Sequence, residues 1–320
     1  MKNNKSLLTV SIVFDGKNRF ILECLESLYK NYQDLMEVFV VSNLGSKEIN
    51  DEIKRKFPEV YLIINKTRRG FAENHNYVIE KSKGEYIFIL NDDTIILPNA
   101  IRNLILYLKK YPDVGLVGPK ILNPDFSLQP STYSFPNFFT IFLKFSGIRK
   151  LIPFNKFTFK ILPYFYRKTS RFWDHSDIRE VETLKGAAMM VRRRTIEEVG
   201  LMDEVALAYG EETEWHFRFW KKGWKIVFYP KARIIHYGGQ STKLLSSIPE
   251  EEIKSLLNFY KKHKGSFAYF FLRVLIFFLF SLRLVVDAVR FNKELLNSDI
   301  KVIKIVLNPD KYFQGKRIFW

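Results

Sequence analysis

Cysteine is nearly absent: Cys24 stands alone among 320 residues. An internal disulfide is excluded, and a reducing cytosol suits the chain. Long apolar runs are missing too. The uninterrupted run between Arg273 and Arg283 holds nine residues, well short of the ~20 that span a bilayer. The N-terminal MKNNKSLLTVSIVF has too short an apolar run for a secretory signal and passes straight into a strand-like pattern. Together these features assign the chain to the cytosolic side. Acidic residues are the minority charge, 34 Asp and Glu against 51 Lys and Arg, for a formal net charge of +17. That surplus suits an anionic partner: nucleic acid, acidic lipid head groups or phosphorylated substrates. The basic residues are dispersed and form no nucleic-acid motif, which argues against the first of these.

What is present is core. A hydrophobic content of 47% with 16% aromatic residues argues against disorder. The length suits one large α/β domain plus an appendage. Leu7 to Phe14 reads as a strand and Phe20 to Tyr29 as a helix with Ile21, Leu22, Leu25 and Leu28 on one stripe. Strands at Val38–Val41 and Val60–Ile64 alternate with helices over residues 47–57 and 72–81. Pro98 to Lys110 adds a helix and Val114 to Val117 a strand. This alternation predicts a mostly parallel sheet with right-handed crossovers. Trp224 to Pro230 reads as an edge strand, and Ile234 to Gly239 closes the domain.

The stretch GEYIFILNDDT, Gly84 to Thr94, organises the rest. Tyr86 to Leu90 has the length of a strand covered on both faces, and Asn91, Asp92 and Asp93 follow at once. Ligands of open α/β sheets bind at that strand end. Adjacent carboxylates repel, so a cation between them and an anionic ligand is a natural partner, which makes this a metal–diphosphate site. A solvated Asn-Asp-Asp turn is the plainer reading. Further on, LKGAAMMV offers Gly186, Ala187 and Ala188 either for close approach to a ligand or for tight packing. From Pro124 to about Arg171 regularity fails, and aromatics interleave with cations. That suits a flap facing a membrane, or a loop over the core. In the tail, Arg273, Arg283, Asp287 and Arg290 gather on one side of a helix, with Lys261, Lys262 and Lys264 before it. Such a helix suits an anionic membrane surface, or packs on the domain or in an oligomer interface.

Taken in order, the segments ECLESL, NKTRRGFAENHN, GEYIFILNDDT, VGPKILNPD, WDHSDIREV, LKGAAMMVRR, YGEETEWHFRFWKKG and HYGG resemble family 2 glycosyltransferases, in their rhamnosyltransferase-like branch. The resemblance runs from about Thr9 to Thr242. It implies the GT-A fold over residues 1–245, with a donor half about 1–120 and an acceptor half about 121–245, ahead of C-terminal amphipathic, membrane-associating helices over 246–320. It also implies inverting transfer of a sugar, rhamnose being one candidate, from a nucleotide-sugar donor to a lipid-linked or cell-surface glycan. The cofactor would be Mg2+ or Mn2+, and the location the inner face of the cell membrane.

Carried over by position, Asp93 is the metal ligand, with Asp92 close and His236 completing the site. Glu212 is the base, with Glu211 and Glu214 its nearest rivals; a helix-capping carboxylate is the plainer role. Donor contacts fall to Phe14, Asp15, Gly16, Ser42, Asn43, Gly70, Phe71 and Asn91. Acceptor contacts fall to Gly186, Ala187, Glu211 and Trp215, although Trp215 also reads as core. Three positions depart from the family pattern. Phe14-Asp15-Gly16 replaces a Thr/Asn-Tyr-Asn-like triplet, Ser42 replaces the Asp that bonds the nucleobase, and the base is Glu where Asp is usual.

Overall fold

The first half of the chain builds four parallel strands because each apolar run is short, β-branched and followed by a helix that returns the chain. The computed structural model describes residues 8–15, 19–146, 173–238, 248–289, 291–313 and 317. Strands β1 (Leu8–Phe14), β2 (Met36–Asn43), β3 (Tyr61–Asn65) and β4 (Tyr86–Asn91) lie side by side as β3-β2-β1-β4. Helices α1 (Phe20–Asn31), α2 (Lys47–Lys56) and α3 (Phe71–Lys81) connect them. The order reverses between β1 and β4, and in open α/β sheets ligands bind outside the C-terminal strand ends at such a point.

Beyond β4 the sheet is mixed. A turn at Asp92–Asp93 leads into β5 (Thr94–Ile96), then α4 (Ala100–Lys110) and the nine-residue β6 (Val114–Leu122). Short strands β7 (Leu128–Gln129) and β8 (Thr132–Tyr133) and helix α5 (Phe138–Phe145) occupy the start of the excursion. Residues 147–172 of the expected flap lie outside the described residues. Strands β9 (Arg179–Glu180) and β10 (Thr183–Leu184) precede β11 (Ala188–Arg192), which runs antiparallel to both β4 and β6. Helices α6 (Arg193–Val199) and α7 (Glu211–Lys221) follow.

The expected edge strand and closing segment form one strand, β12 (Lys225–His236), between β6 and β5. A register shift between Tyr229 and Arg233 takes up Pro230, whose missing N–H cannot join a ladder.

The tail folds as α8 (Ile248–His263), α9 (Gly265–Val289), α10 (Lys293–Leu307) and α11 (Asp310–Phe313). These helices bury a second core that includes Leu272, Ile276, Phe280, Val302 and Ile305, joined by Ile141 and Phe145 of α5 and Phe217 of α7. The polar side of α9 faces protein. Arg273 donates to the carbonyls of Val306 and Leu307, Arg283 pairs with Asp299 at 3.0 Å, and Asp287 is buried. Lys262 is buried as well, paired with Asp203 and Glu214. Arg290 lies outside the described residues. The other face of α9 exposes Phe267, Phe270, Phe278, Val285 and Val289 at 58–78%. With its arginines turned inward, α9 is a 25-residue helix long and apolar enough to cross a membrane by length and composition.

Candidate active site

Strand register brings the first pair of groups together. β5 pairs antiparallel with the end of β12, so Thr94 stands opposite His236. The next backbone contact, Tyr237 N–H to Asp93 O at 3.0 Å, continues that pairing around the turn. Asp93 Oδ1 thereby comes to 3.2 Å from His236 Nε2, and Asn91 Nδ2 to 3.3 Å from the same nitrogen. Asp92 and Asp93 are 1% and 2% exposed. Both lie near Cys24, whose thiol burial pushes up to about 12 despite the Thr94 hydroxyl that opposes the shift; the two carboxylates push it further. That thiol is inert.

A second set of groups shapes the ends of β1 to β3. The Asn43 amide grips the backbone of Arg69 at both ends: Nδ2 donates to Arg69 O and Oδ1 accepts from Arg69 N, each at 2.9 Å. Asn65 Nδ2 joins Asn43 to Asn74, at 3.2 and 2.8 Å. Asn43 is therefore a brace for the 66–70 loop. Asp15 Oδ2 accepts from Arg68 at 2.6 Å, while Asp15 Oδ1 is buried and unbonded. Phe14 and Ser42 are fully buried. Gly16 lies outside the described residues.

The third set arrives from the far half of the chain. Asn91 N donates to Ala187 O at 2.9 Å, which seats the 186–187 turn beside the end of β4. A side chain at Gly186 would start 3.4 Å from the Phe71 ring and 3.9 Å from the Glu212 carboxyl carbon, so the three residues are neighbours. Gly70 is needed where it stands, since a Cβ there would lie 2.9 Å from Ala206 O. Phe71 N donates to Leu207 O at 2.7 Å. The 66–70 loop thus rests on the segment leading into α7.

At the start of α7, Glu212 is partly buried and Oε2 accepts from Gly210 N at 3.1 Å. Burial pushes the carboxyls of Glu212 and Glu211 up, and for Glu211 the neighbouring Glu212 adds to it. The remaining candidates face elsewhere. Glu211 is 5% exposed and borders a small pocket with Asp203, Ser255 and Asn258. Glu214 pairs with Arg218, Lys262 and His263, and Trp215 is fully buried, with Nε1 donating to Gly200 O at 2.8 Å. A ring with no exposed surface has none to stack on an acceptor.

Two further residues belong to the site. Lys185 Nζ donates to Gln129 Oε1 at 2.6 Å and lies 3.5 Å from His236 Nδ1. Burial lowers the Lys185 pKa, while Asp93 and Glu212 act in the opposite direction. That ammonium therefore sits in the field of both the Asp93 end and the Glu212 end. Lys185 adjoins Gly186 in a segment that sequence reasoning singled out. Gln129 sits on a two-residue strand with no periodic signal.

Among the described residues no three His, Cys, Asp or Glu side chains cluster as a complete metal cage. The Asp93–His236 pair supplies two ligand atoms within 3.2 Å. This donor set fits a divalent cation that takes its remaining ligands from phosphate oxygens and water.

A family model described as "Glycosyltransferase like family 2" matches residues 8–250. The N-acetylglucosaminyl-diphospho-decaprenol L-rhamnosyltransferase of Mycobacterium tuberculosis is 27% identical over 183 residues, 56% of this chain and 55% of that protein. The glycosyltransferase GlyG of Streptococcus pneumoniae is 29% identical over 101 residues, 31% of this chain and 34% of that protein. The chain thus spans about half the length, or less, of these curated relatives. Among solved structures, GalNAc-T7 with UDP, GalNAc and Mn2+ aligns at TM-score 0.57 and 16% identity, over 81% of this chain and 49% of that one. A mannosyltransferase from Pyrobaculum calidifontis, with GDP-Man and Mn2+, aligns at TM-score 0.53 and 14% identity, over 95% and 88%. These likenesses establish the GT-A fold. With its family model covering most of its length, the chain belongs to the family 2 glycosyltransferases.

Proposed function

We propose that the chain moves a sugar, rhamnose being the leading candidate, from a nucleotide-sugar to a hydroxyl of a lipid-linked or cell-surface glycan, with inversion. The observation that carries this reading is the juxtaposition of Gly186, Phe71 and Glu212 with the strand end that bears Asp93 and, across the ladder, His236. Asp93 and His236 hold the divalent cation, Mg2+ or Mn2+, with Asn91 and Asp92 beside them. When bound, that cation neutralises charge on the departing nucleoside diphosphate. Glu212 takes the proton from the acceptor hydroxyl as the new glycosidic bond forms. Its burial suits this role, since a carboxyl with a raised pKa is a stronger base than a solvated one. Asp15, paired with Arg68, takes the nucleobase contact in place of the family's missing Asp at Ser42. Asp15→Ala then weakens nucleoside diphosphate binding; unchanged affinity in a thermal-shift titration would remove Asp15 from the donor site.

The apolar face of α9 and the +17 charge support a peripheral position on an anionic, cytosol-facing membrane, where a lipid-linked acceptor resides. The rhamnosyltransferase relative is named for a decaprenol-linked substrate, which supports this class of acceptor. A second reading, donor binding without turnover, draws on the complete burial of Phe14 and Ser42 where the family presents donor-contacting side chains. Release of nucleoside diphosphate from a panel of nucleotide-sugars, with Mn2+ or with EDTA, separates the two. The enzyme releases product only with the cation, and binding without release would favour the second reading.

A further inference from the structure

Gln129 makes four hydrogen bonds, and together they fix which way its amide faces. Nε2 donates to the backbone carbonyl of His236 at 3.1 Å and to Asn123 Oδ1 at 2.8 Å. Oε1 lies 2.6 Å from Lys185 Nζ and 2.6 Å from His236 Nδ1. A carbonyl can only accept and an ammonium can only donate, so the reversed amide would meet a clash at both ends. With Oε1 facing the ring, His236 Nδ1 must carry a hydrogen. In the neutral imidazole, Nε2 is then the bare nitrogen. It points at Asn91 Nδ2, 3.3 Å away, and at Asp93 Oδ1, 3.2 Å away. A bare nitrogen and a carboxylate oxygen facing each other at that distance are two ligand atoms for one cation.

We propose that Gln129, held by Lys185, is a positioning residue that keeps His236 in the Nδ1–H tautomer and so presents Nε2 to the divalent cation. The proposal rests on the reading of His236 as a cation ligand, and the test separates the two. Outer partners that orient a ligating histidine affect metal affinity by about 10–100-fold. Leucine at position 129 keeps the bulk of the side chain and removes both the acceptor for Nδ1–H and the anchor on the His236 carbonyl. Gln129→Leu is therefore expected to weaken Mn2+ binding, followed by electron paramagnetic resonance in the presence of UDP, by at least tenfold. Lys185→Met, which loosens only the brace, is expected to weaken it less.

Histidine-selective 15N spectra of the wild-type chain report the tautomer directly and need no variant, with the His236 signals assigned by their loss in His236→Gln. They should show Nδ1 protonated and Nε2 bare. A protonated Nε2 in the wild type, or Mn2+ affinity unchanged in a folded Gln129→Leu chain, overturns the proposal. If His236→Gln itself leaves Mn2+ affinity unchanged, the ligand role of His236 fails, and with it this inference. A loss in His236→Gln with none in Gln129→Leu overturns only the role of Gln129.

Discussion

At the scale of single residues, the site works by placing groups of opposed character a short distance apart. Asp93 and His236 form one end and Glu212 the other, with Lys185 in the field of both. Glu212→Gln keeps the shape of the side chain and removes the proposed base. Its turnover should fall by about 10²–10⁴-fold, with binding of Mn2+ and nucleoside diphosphate retained. The carboxyl is pushed up by burial, and only its ionised form accepts a proton. Turnover should therefore rise with pH along a limb centred above the ordinary glutamate value of about 4.3. A limb at or below that value, read from kcat against pH, contradicts the assignment. His216 invites confusion as an acid–base group, but burial lowers it to about 3, so its ring is neutral at working pH.

At the scale of elements, α7 is fixed to the tail by charge. Burial alone would raise the Glu214 carboxyl, but His263, Arg218 and Lys262 overcome that and hold it at about 2. A depressed carboxylate stabilises the fold above its unfolded value, about 4.3. This contribution fades as pH falls through about 2. Glu214→Ala leaves Asp203 as the one carboxylate beside the buried Lys262 and Arg218, and removing one member of a buried ion network costs up to about 3–5 kcal/mol in comparable cases. The loss should appear at neutral pH in denaturant titration; a change below about 1 kcal/mol would mean that the network is solvated.

Much of this level was legible in the sequence. The strands and helices of the first 120 residues follow from apolar runs and helical stripes, and GEYIFILNDDT is a buried strand that ends in the two carboxylates. Strand direction was not legible, since an apolar run such as Ala188–Arg192 reads alike in either orientation. β5 is three residues long and hides behind the turn that precedes it. Pro230 made β12 look like two pieces. Gln129 left no trace because its importance lies in a pairing with β6 and in contacts to residues distant along the chain.

For the molecule as a whole, the tail helix α9 turns its charges inward and most of its phenylalanines outward. Sequence periodicity grouped Arg273 and Arg283 correctly on one side but could not reveal that α10 already occupied it. An exposed face carrying Phe267, Phe270, Phe271 and Phe278 at 47–78% would be costly to leave in water. The full chain should float with anionic liposomes at physiological salt. Phe270→Glu combined with Phe278→Glu should release it while nucleotide-sugar hydrolysis persists. Soluble behaviour of the unaltered chain at that salt would count against the membrane reading.

The central claim is that a cation held at Asp93 and His236 and a base at Glu212 act on one donor. Parallel measurement of Mn2+-dependent nucleoside diphosphate binding and of sugar transfer in the wild-type, Asp93→Ala and Glu212→Gln chains tests it most directly. The account predicts that Asp93→Ala loses both, and that Glu212→Gln binds like the wild type but does not transfer. Transfer at the wild-type rate by Glu212→Gln, or undiminished Mn2+-dependent binding by Asp93→Ala, would contradict it.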